Sequence, residues 1–286
     1  MSGTRFLLKV SRPRFWLYIF GPYLVGLAAG AASPNDFLRL DVALFAVYFL
    51  FPANLLIYGI NDIFDFETDR WNPKKSKYEV LVQPESHRVL IWTILVLNLP
   101  FFAAAAVLAP RALPSLAAFL FFSIFYSAPP IRAKAIPILD SAFNILYVFP
   151  GAFAFQMLTG SFMPWTLFAA AGLWTMAMHA YSAMPDIEAD KQAGLRTIAT
   201  LLGIHGTLLF CLIAYLASTA VASKYLGYPT ILLAVVYTVM IALSWYSNIE
   251  DRVFSVYKYF PIVNAVVGFA LFWIIAYHLF FGISDK

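Results

Sequence analysis

The amino-acid sequence predicts an all-α protein, a polytopic membrane bundle of nine transmembrane helices. Apolar residues make up 62% of the chain and charged residues only 12%, and the apolar residues fall into long runs. Soluble domains are about 45–50% apolar and about 25% charged, so the excess apolar surface is expected to face lipid. Because no soluble domain or low-complexity tail is evident, residues 1–286 are expected to form a single transmembrane domain.

Nine apolar runs approach or reach the roughly 17–25 residues that a helix needs to cross the hydrocarbon core. They cover residues 14–32, 41–60, 89–109, 113–127, 138–158, 164–183, 205–223, 229–246 and 259–281. The fourth run is short, but Pro110, Pro114 and the Pro129–Pro130 pair bracket it as a complete element. The first run is too long for a cleavable signal peptide and is expected to be retained. Cys211 lies within an apolar run and is expected to be a buried thiol without a disulfide.

Positive charges are distributed unevenly over the loops that these spans define. Fifteen of the nineteen Lys and Arg residues fall at the N-terminus and in every second connection along the chain. The positive-inside rule places that side in the cytoplasm of a multi-pass cell-membrane protein. Lys74, Lys75 and Lys77 are interpreted as loop or lipid-headgroup charges. The basic pI near 9.0 is thus explained by topology, and no nucleic-acid partner is expected.

A first aspartate motif follows the second predicted span. Asp62, Asp65 and Asp69 are spaced i, i+3, i+7, which places the three carboxylates on one face of a continuing helix. Glu67 falls off that face and is interpreted as a solvated side chain. By the predicted topology, the motif lies at the cytoplasmic edge of the membrane.

A second aspartate motif follows the sixth span on the same side. Asp186 and Asp190, spaced i, i+4, share a helix face, whereas Glu188 points elsewhere. Clustered carboxylates beside a bilayer are costly without a counter-charge, and a divalent cation supplies one. Mg²⁺ takes one or two carboxylates and completes its octahedral shell with water and substrate phosphate. Ordinary polar loop ends are the alternative, but two such motifs on one side predict that all five aspartates are metal ligands and catalytic residues of a Mg²⁺-dependent diphosphate site.

The paired motifs resemble the signature of the UbiA superfamily of intramembrane prenyltransferases. The resemblance lies in Asn61-Asp62-x-x-Asp65-x-x-x-Asp69, in Asp186-x-x-x-Asp190 and in the stretch that follows, residues 191–203. It implies nine helices around a central cavity that opens to lipid, with cytosolic loops over both motifs. It also implies transfer of a prenyl group from an allylic prenyl diphosphate, with Mg²⁺ as cofactor and membrane lipids around the chain.

A diphosphate held in this way needs further polar partners. The candidates are Asn61, Tyr126, Arg132, Lys134, Lys191 and Arg196, of which the four cations are also explained as positive-inside residues. The choice between Arg132 and Lys134 stays open, because a diproline lengthens the spacing from Tyr126 beyond the compact form found in the family. Tyr58 and Tyr181, each a few residues before a motif, are candidates to contact the substrate and to steady an allylic cation, or are ordinary interfacial tyrosines.

The acceptor is less strongly specified than the donor. No span interior contains Lys or Arg to bind an acidic acceptor, which favours an apolar one. Residues 11–18 resemble the start of the carotenoid-elongating branch of the superfamily, so lycopene or a related carotenoid is the expected acceptor. A glycerol phosphate ether lipid or an aromatic quinone precursor is the alternative, and a lipid-diphosphate transporter is the alternative of another class. His179 is interpreted as a base or a group that orients the acceptor, or else as a structural histidine.

Overall fold

A computed structural model describes residues 3–69, 79–246 and 256–281; for Thr68 and His278 it describes the backbone alone. Over these ranges the regular structure consists of α-helices and 3₁₀ helices, with no strand, which confirms the all-α fold class. Lys74, Lys75 and Lys77, which the sequence predicts to be loop or headgroup charges, lie outside the described residues.

The α-helices follow one another along the whole described chain. In order they are α1 (Gly3–Val10), α2 (Leu17–Gly30), α3 (Leu40–Leu50), α4 (Pro52–Phe64), α5 (Phe66–Asp69), α6 (Pro84–Leu108), α7 (Leu113–Ser127), α8 (Leu139–Ala142), α9 (Phe149–Thr159), α10 (Trp165–Ala183), α11 (Ile187–Gln192), α12 (Ile198–Leu226), α13 (Pro229–Tyr246) and α14 (Phe260–Phe281). Short 3₁₀ helices cover Pro13–Phe15, Pro34–Leu38, Pro110–Ala112, Ala133–Ala135, Phe143–Tyr147 and Met184–Asp186.

The chain divides into two compact units. The first comprises Met1–Arg132 and Phe149–Ser161 and contains α1 to α7 and α9. The second comprises Ala133–Val148 and Phe162–Lys286 and contains the remaining helices. The division into compact units does not test the expectation of a single transmembrane domain, which stays a prediction.

Each of the nine predicted spans coincides with helical structure. Six stretches are long and apolar enough to cross a membrane, namely Leu40–Phe64, Pro84–Leu108, Leu139–Thr159, Ile198–Leu226, Pro229–Tyr246 and Phe260–Tyr277. Leu17–Gly30 is a shorter apolar helix. The protein is therefore of the multi-pass membrane class, and the number of nine crossings stays a prediction.

The seventh predicted span begins later than the helix that contains it. The predicted apolar run starts near residue 205, whereas α12 already begins at Ile198 behind a Thr197 cap. The Thr197 hydroxyl accepts from the N–H of Thr200 at 3.2 Å, and the Thr200 hydroxyl accepts from the N–H of Thr197 at 2.8 Å. A bend at Gly203, with a φ of 65°, separates this first turn from the apolar remainder. The early start brings a helix N-terminus close to the second aspartate motif in the chain.

Aromatic rings and a close helix contact form the core of the first unit. Phe45 and Phe153 pack edge to face with ring centroids 4.7 Å apart, and the buried Tyr23 hydroxyl donates to the carbonyl of Val42 at 2.7 Å. Between α2 and α9 the backbones approach so closely that a Cβ at Gly26 would lie 2.1 Å from the carbonyl oxygen of Gly151. Only hydrogen fits there, as at the close helix contacts common in membrane proteins.

The second unit is held by aromatic packing and by side-chain hydrogen bonds between helices. Tyr237 packs against both Trp174 and Tyr215, with centroids 4.6 and 4.4 Å apart. Ser218 on α12 donates to the carbonyl of Ala170 on α10 at 2.7 Å. Cys211 is buried in this core as a free thiol, which confirms the prediction made for it.

We expect Gly26→Ala to lower the free energy of unfolding by about 1–3 kcal/mol, because the added methyl group overpacks the α2–α9 contact. Gly268 in α14 is the control, since a Cβ there meets nothing within 4 Å beyond its own chain neighbours. Gly268→Ala is expected to be neutral or to stabilise the helix by up to about 1 kcal/mol. Denaturation in detergent micelles measures both, and equal stability of the two variants would contradict the close contact.

Candidate active site

The first aspartate motif lies where α4 ends and α5 begins. Helical hydrogen bonding continues through this junction: the Asp65 N–H donates to the Asn61 carbonyl at 2.9 Å, and the Asp69 N–H donates to the Asp65 carbonyl at 2.8 Å. Asp62 and Asp65 are only 3% and 2% exposed. Asp69 is half-buried, whereas Glu67 is exposed. The three aspartates are therefore shielded and Glu67 is not, as their spacing predicts.

Asp62 is paired with an arginine from the N-terminal segment. Arg12 Nη2 lies 2.6 Å from Asp62 Oδ1 and 3.2 Å from a carboxylate oxygen of Glu79. The guanidinium also lies over the ring of Tyr58, 4.8 Å from its centroid. Burial lowers the pKa of Arg12, but the charges of Asp62 and Glu79 raise it more, so the net shift is upward. The sequence suggested only a topological role for Arg12, because this contact joins residues fifty positions apart.

Asp65 is faced by a serine and a second arginine. The Ser127 hydroxyl donates to Asp65 Oδ2 at 3.4 Å, and Arg132 Nη2 lies 3.9 Å from Asp65 Oδ1. Both arginines beside this motif have a left-handed backbone, with φ of 50° at Arg12 and 47° at Arg132. Such a conformation costs a non-glycine residue about 1–3 kcal/mol and persists where the surroundings fix it, often at functional sites.

Three further predicted binding residues lie in the first unit. Tyr58 is buried, with its ring centroid 6.0 Å from that of Phe15 as well as beneath Arg12. Asn61 and Tyr126 are half-buried, the first directly before Asp62 and the second directly before Ser127. These positions are close in the chain to residues that contact the aspartates, and contact with a substrate stays a prediction for all three.

The second aspartate motif lies on either side of the start of α11. Asp186 closes the 3₁₀ turn that precedes this helix, and Asp190 lies one helical turn further on. Both aspartates are half-buried, whereas Glu188 between them is exposed. The Thr197 hydroxyl, which caps α12, donates to Asp190 Oδ2 at 3.4 Å. The two aspartates are thus set apart from Glu188 by their burial, in agreement with the predicted face.

Burial and the neighbouring charge of Asp186 raise the pKa of Asp190 to about 6. The Thr197 hydrogen bond and the charges of Lys134 and His179 act in the opposite direction and are outweighed. Ionised Asp190 is therefore destabilised by its own surroundings. A divalent cation beside it would relieve both the desolvation and the repulsion.

The predicted cations of the second unit have different surroundings. Lys134 is half-buried, and its charge acts on Asp190. Lys191 is exposed and pairs with Glu188 at 3.0 Å. Arg196 is exposed and lines a surface cleft together with Lys191. The charge of Lys134 thus acts on Asp190, and the roles of Lys134, Lys191 and Arg196 in substrate binding stay predictions.

Tyr181 lies inside the hydrophobic core of the second unit. Its side chain is fully buried, its hydroxyl is hydrogen-bonded to Ser244 at 2.8 Å, and its ring packs 4.8 Å from that of Phe260. This position gives Tyr181 a packing role and offers no exposed ring surface for the substrate contact predicted from the sequence.

His179 faces a buried aspartate that no sequence motif singled out. Asp140 has no exposed surface, and its Oδ2 lies 3.7 Å from His179 Nε2. The same oxygen accepts from the N–H of Ile198, the first residue of α12, at 2.9 Å. An ionisable residue near the start of a predicted span was the signal that could have identified Asp140.

Mg²⁺ fits the donor groups of the two motifs. In the described ranges, no group of three or more His, Cys, Asp and Glu side chains forms a preassembled cation cage. Mg²⁺ does not need one, because it is commonly held by one or two carboxylates together with water and substrate phosphate. Each motif offers shielded carboxylate oxygens, and the raised pKa of Asp190 marks a carboxyl that a cation would stabilise in its ionised form.

An apolar helical fold with two aspartate motifs is typical of intramembrane prenyltransferases. The model of the UbiA prenyltransferase family matches residues 19–252, and the chain belongs to this family. It is 44% identical over 268 residues to the lycopene elongase/hydratase of Haloferax volcanii, covering 92% of this chain and 86% of that protein. It is 40% identical over 272 residues to the lycopene elongase/hydratase of Halobacterium salinarum, covering 92% and 94%.

A solved structure has the same fold. The structure of a UbiA homologue from Archaeoglobus fulgidus bound to GPP and Mg²⁺ matches with a TM-score of 0.70 at 20% identity, over 94% of this chain and 99% of that one. The resemblance inferred from the aspartate motifs is therefore confirmed, and the chain is a prenyltransferase by family.

We expect Arg12→Ala to lower the free energy of unfolding by about 3–5 kcal/mol, because it breaks the ion pair of 2.6 Å between Arg12 and the buried Asp62 carboxylate. Arg14→Ala is the control: Arg14 also pairs with Glu79, but its side chain is 49% exposed. Its loss is expected to cost at most about 1 kcal/mol. Denaturation in detergent micelles without divalent cations measures both, and an Arg12 variant as stable as the Arg14 variant would contradict the buried pair.

Metal binding at the second motif is expected to weaken as the pH falls below about 6, the pKa of Asp190. A metal ligand must be ionised, and the ionised fraction of a carboxyl falls about tenfold per pH unit below its pKa. An ordinary aspartate, with a pKa of about 3.9, would keep its affinity down to about pH 4. The pH dependence of Mn²⁺ binding, read from the spin resonance signal of free Mn²⁺, checks this expectation.

Asp186→Asn tests the cause of the raised pKa. Removing the negative charge beside Asp190 weakens binding overall but should move its pH midpoint downward, because one of the two causes of the upward shift is gone. A midpoint that stayed in place would assign the whole shift to burial.

Proposed function

We propose that this protein transfers a prenyl group from an allylic prenyl diphosphate to the end of a carotenoid, with lycopene as the acceptor. Prenyl transfer is the reaction of the family, and the acceptor is proposed from the relatives. Identity of 44% and 40% to two lycopene elongase/hydratases, each over 92% of this chain, supports the proposal most strongly. The complete pair of aspartate motifs is consistent with it.

The five aspartates are proposed to hold Mg²⁺. Asp62, Asp65 and Asp69 would supply the ligands of the first motif, and Asp186 and Asp190 those of the second. When bound there, Mg²⁺ would supply Lewis-acid stabilisation of the charge on the leaving diphosphate. The burial of Asp62 and Asp65 supports this assignment, because shielded carboxylates interact more strongly with a cation than solvated ones do.

Cationic and polar side chains are proposed to bind the diphosphate oxygens. Arg132 would act from the first motif and Lys134 from the second, with Arg196 as a further cation on the exposed side. Asn61 and Tyr126 would donate hydrogen bonds. The 3.9 Å approach of Arg132 to Asp65 and the effect of the Lys134 charge on Asp190 support this division.

The reaction requires a dry, apolar environment for the electrophile. The allylic C–O bond breaks with its electron pair leaving on the diphosphate, and the electron pair of an acceptor double bond forms the new C–C bond. The positive charge then left on the acceptor is removed by loss of a proton, either from the acceptor itself or from a water molecule that has added to it. Aromatic residues, 18% of the chain, can steady such cations with their ring faces, as proposed for Tyr58. The absence of Lys and Arg from the span interiors favours an apolar acceptor.

The N-terminus and both aspartate motifs are proposed to face the cytoplasm from the cell membrane. Fifteen of the nineteen Lys and Arg residues fall on the side that carries them when nine spans are counted. This bias supports the orientation by the positive-inside rule. A cytoplasmic mouth would give direct access to water-soluble prenyl diphosphates.

We expect purified protein in liposomes with Mg²⁺ to incorporate label from dimethylallyl diphosphate into lycopene, and chelation to abolish the transfer. Asp62→Asn and Asp190→Asn should each reduce the rate by about a hundredfold or more, because stabilisation of the leaving group is lost. Glu67→Gln and Glu188→Gln are matched controls, since these exposed carboxylates lie off the two faces. They should stay within about twofold of the unsubstituted protein.

The same assay decides between the alternatives. Geranylgeranyl diphosphate is tested as a second donor, and a glycerol phosphate ether and 4-hydroxybenzoate as competing acceptors. Label in one of these acceptors instead of lycopene would keep prenyl transfer and overturn the carotenoid assignment. If folded protein transferred no label to any acceptor, a lipid-diphosphate transporter would replace the enzyme as the leading hypothesis.

A further inference from the structure

Asp140 is a buried carboxylate that the proposed reaction does not use. It lies in α8, the short helix Leu139–Ala142, and has no exposed surface. Oδ1 accepts no hydrogen bond within the part of the chain that the structure describes. A buried carboxylate with an unsatisfied oxygen is costly, and packing alone would be served better by an apolar side chain. The contacts of the other carboxylate oxygen, Oδ2, indicate a further role for this charge.

The second oxygen of Asp140 is bound to the N-terminus of α12. Oδ2 accepts from the backbone N–H of Ile198 at 2.9 Å. This N–H belongs to the first turn of the helix, where the amides have no partners within the helix and the helix dipole favours a negative charge. Asp140 therefore fixes the position at which α12 begins. His179 Nε2, 3.7 Å from the same oxygen, adds a second contact to this carboxylate.

The residue before Ile198 links this contact to the second aspartate motif. Thr197 caps α12, and its hydroxyl donates to Asp190 Oδ2 at 3.4 Å. A backbone hydrogen bond also links this segment to Asp190: the Leu195 N–H donates to the carbonyl of Asp190 at 2.8 Å. A connected path thus runs from the Asp140 carboxylate through the first turn of α12 to the Asp190 carboxylate.

We propose that Asp140 is a positioning residue for the cation site of the second motif, acting on Asp190 through the N-terminus of α12 and the Thr197 hydroxyl. The inference rests on the proposed function, since it takes Asp190 as a metal ligand. Residues that hydrogen-bond metal ligands orient them, and their loss commonly weakens metal affinity about 10–100-fold. Asp140 acts one step further from the metal: it fixes the N-terminus of α12, where Thr197 hydrogen-bonds to the proposed ligand Asp190.

Binding of Mn²⁺ alone to the purified full chain at neutral pH tests the proposal. Free Mn²⁺ is followed by its spin resonance signal. The binding that is lost in Asp190→Asn defines the sites of the second motif. We expect Asp140→Ala to weaken those sites about 10–100-fold. Asp140→Asn keeps an oxygen that can accept from Ile198 and should retain more affinity than the alanine variant. Thr197→Val should weaken the same sites, and Thr197→Ser should restore them.

A double variant separates a shared path from independent effects. If Asp140 acts through Thr197, then Asp140→Ala combined with Thr197→Val should bind no more weakly than Asp140→Ala alone, because residues on one path are not additive. Ser244→Ala is the control for general destabilisation: it removes a buried hydrogen bond to Tyr181 in the same unit. It should lower thermal stability and leave Mn²⁺ affinity unchanged.

Each outcome decides between the two proposals. Undiminished Mn²⁺ affinity in Asp140→Ala, or an equal loss in Ser244→Ala, would overturn the positioning role while leaving Asp190 as a ligand. If Asp140→Ala does not fold, the Thr197 pair decides, and equal affinity of the valine and serine variants would overturn the path. If the unsubstituted protein and Asp190→Asn bind the same amount of Mn²⁺, Asp190 is not a metal ligand. That outcome would contradict the proposed function itself.

Discussion

Removing a carboxylate from water costs several kcal/mol unless a partner compensates for the lost hydration, and this cost governs both aspartate motifs. The first unit compensates with charge: Arg12 is paired with Asp62, and Arg132 approaches Asp65. The second unit relies on the Thr197 hydroxyl beside Asp190 and on more distant charges, and the pKa of that carboxyl is raised to about 6. Asp62 and Asp190 therefore differ in how completely the protein itself neutralises their charge.

This difference has a chemical consequence. A carboxylate with a close arginine partner, such as Asp62, can bind a cation only if the arginine shares it or moves away. Asp190 has no such ion pair within 4 Å in the described part of the chain, so a divalent cation there removes a penalty instead of displacing a partner. If the aspartates hold Mg²⁺ as proposed, a cation beside Asp190 would relieve a penalty, whereas a cation at Asp62 would compete with the ion pair to Arg12.

Local periodicity explains which features could be predicted from the sequence. The helices and the shielding of Asp62, Asp65 and Asp69 follow from hydrophobic runs and from spacing along one helix face, both of which are short-range properties. Arg12 and Asp140 were not predicted, because their contacts join residues fifty and fifty-eight positions apart. No single-sequence pattern encodes such a pairing. An arginine before the first span resembles any positive-inside residue, and an aspartate near a span end resembles a polar loop residue.

Arg132 and Lys134 show how the fold separates residues that the sequence cannot distinguish. Both follow the diproline, and their spacing from Tyr126 left open which one binds the diphosphate. The division of the chain falls between them, since the first unit includes Arg132 and the second begins at Ala133. Arg132 lies near Asp65, whereas the charge of Lys134 acts on Asp190. The short segment thus places one cation near Asp65 and another whose charge acts on Asp190, a distinction that spacing along the chain does not reveal.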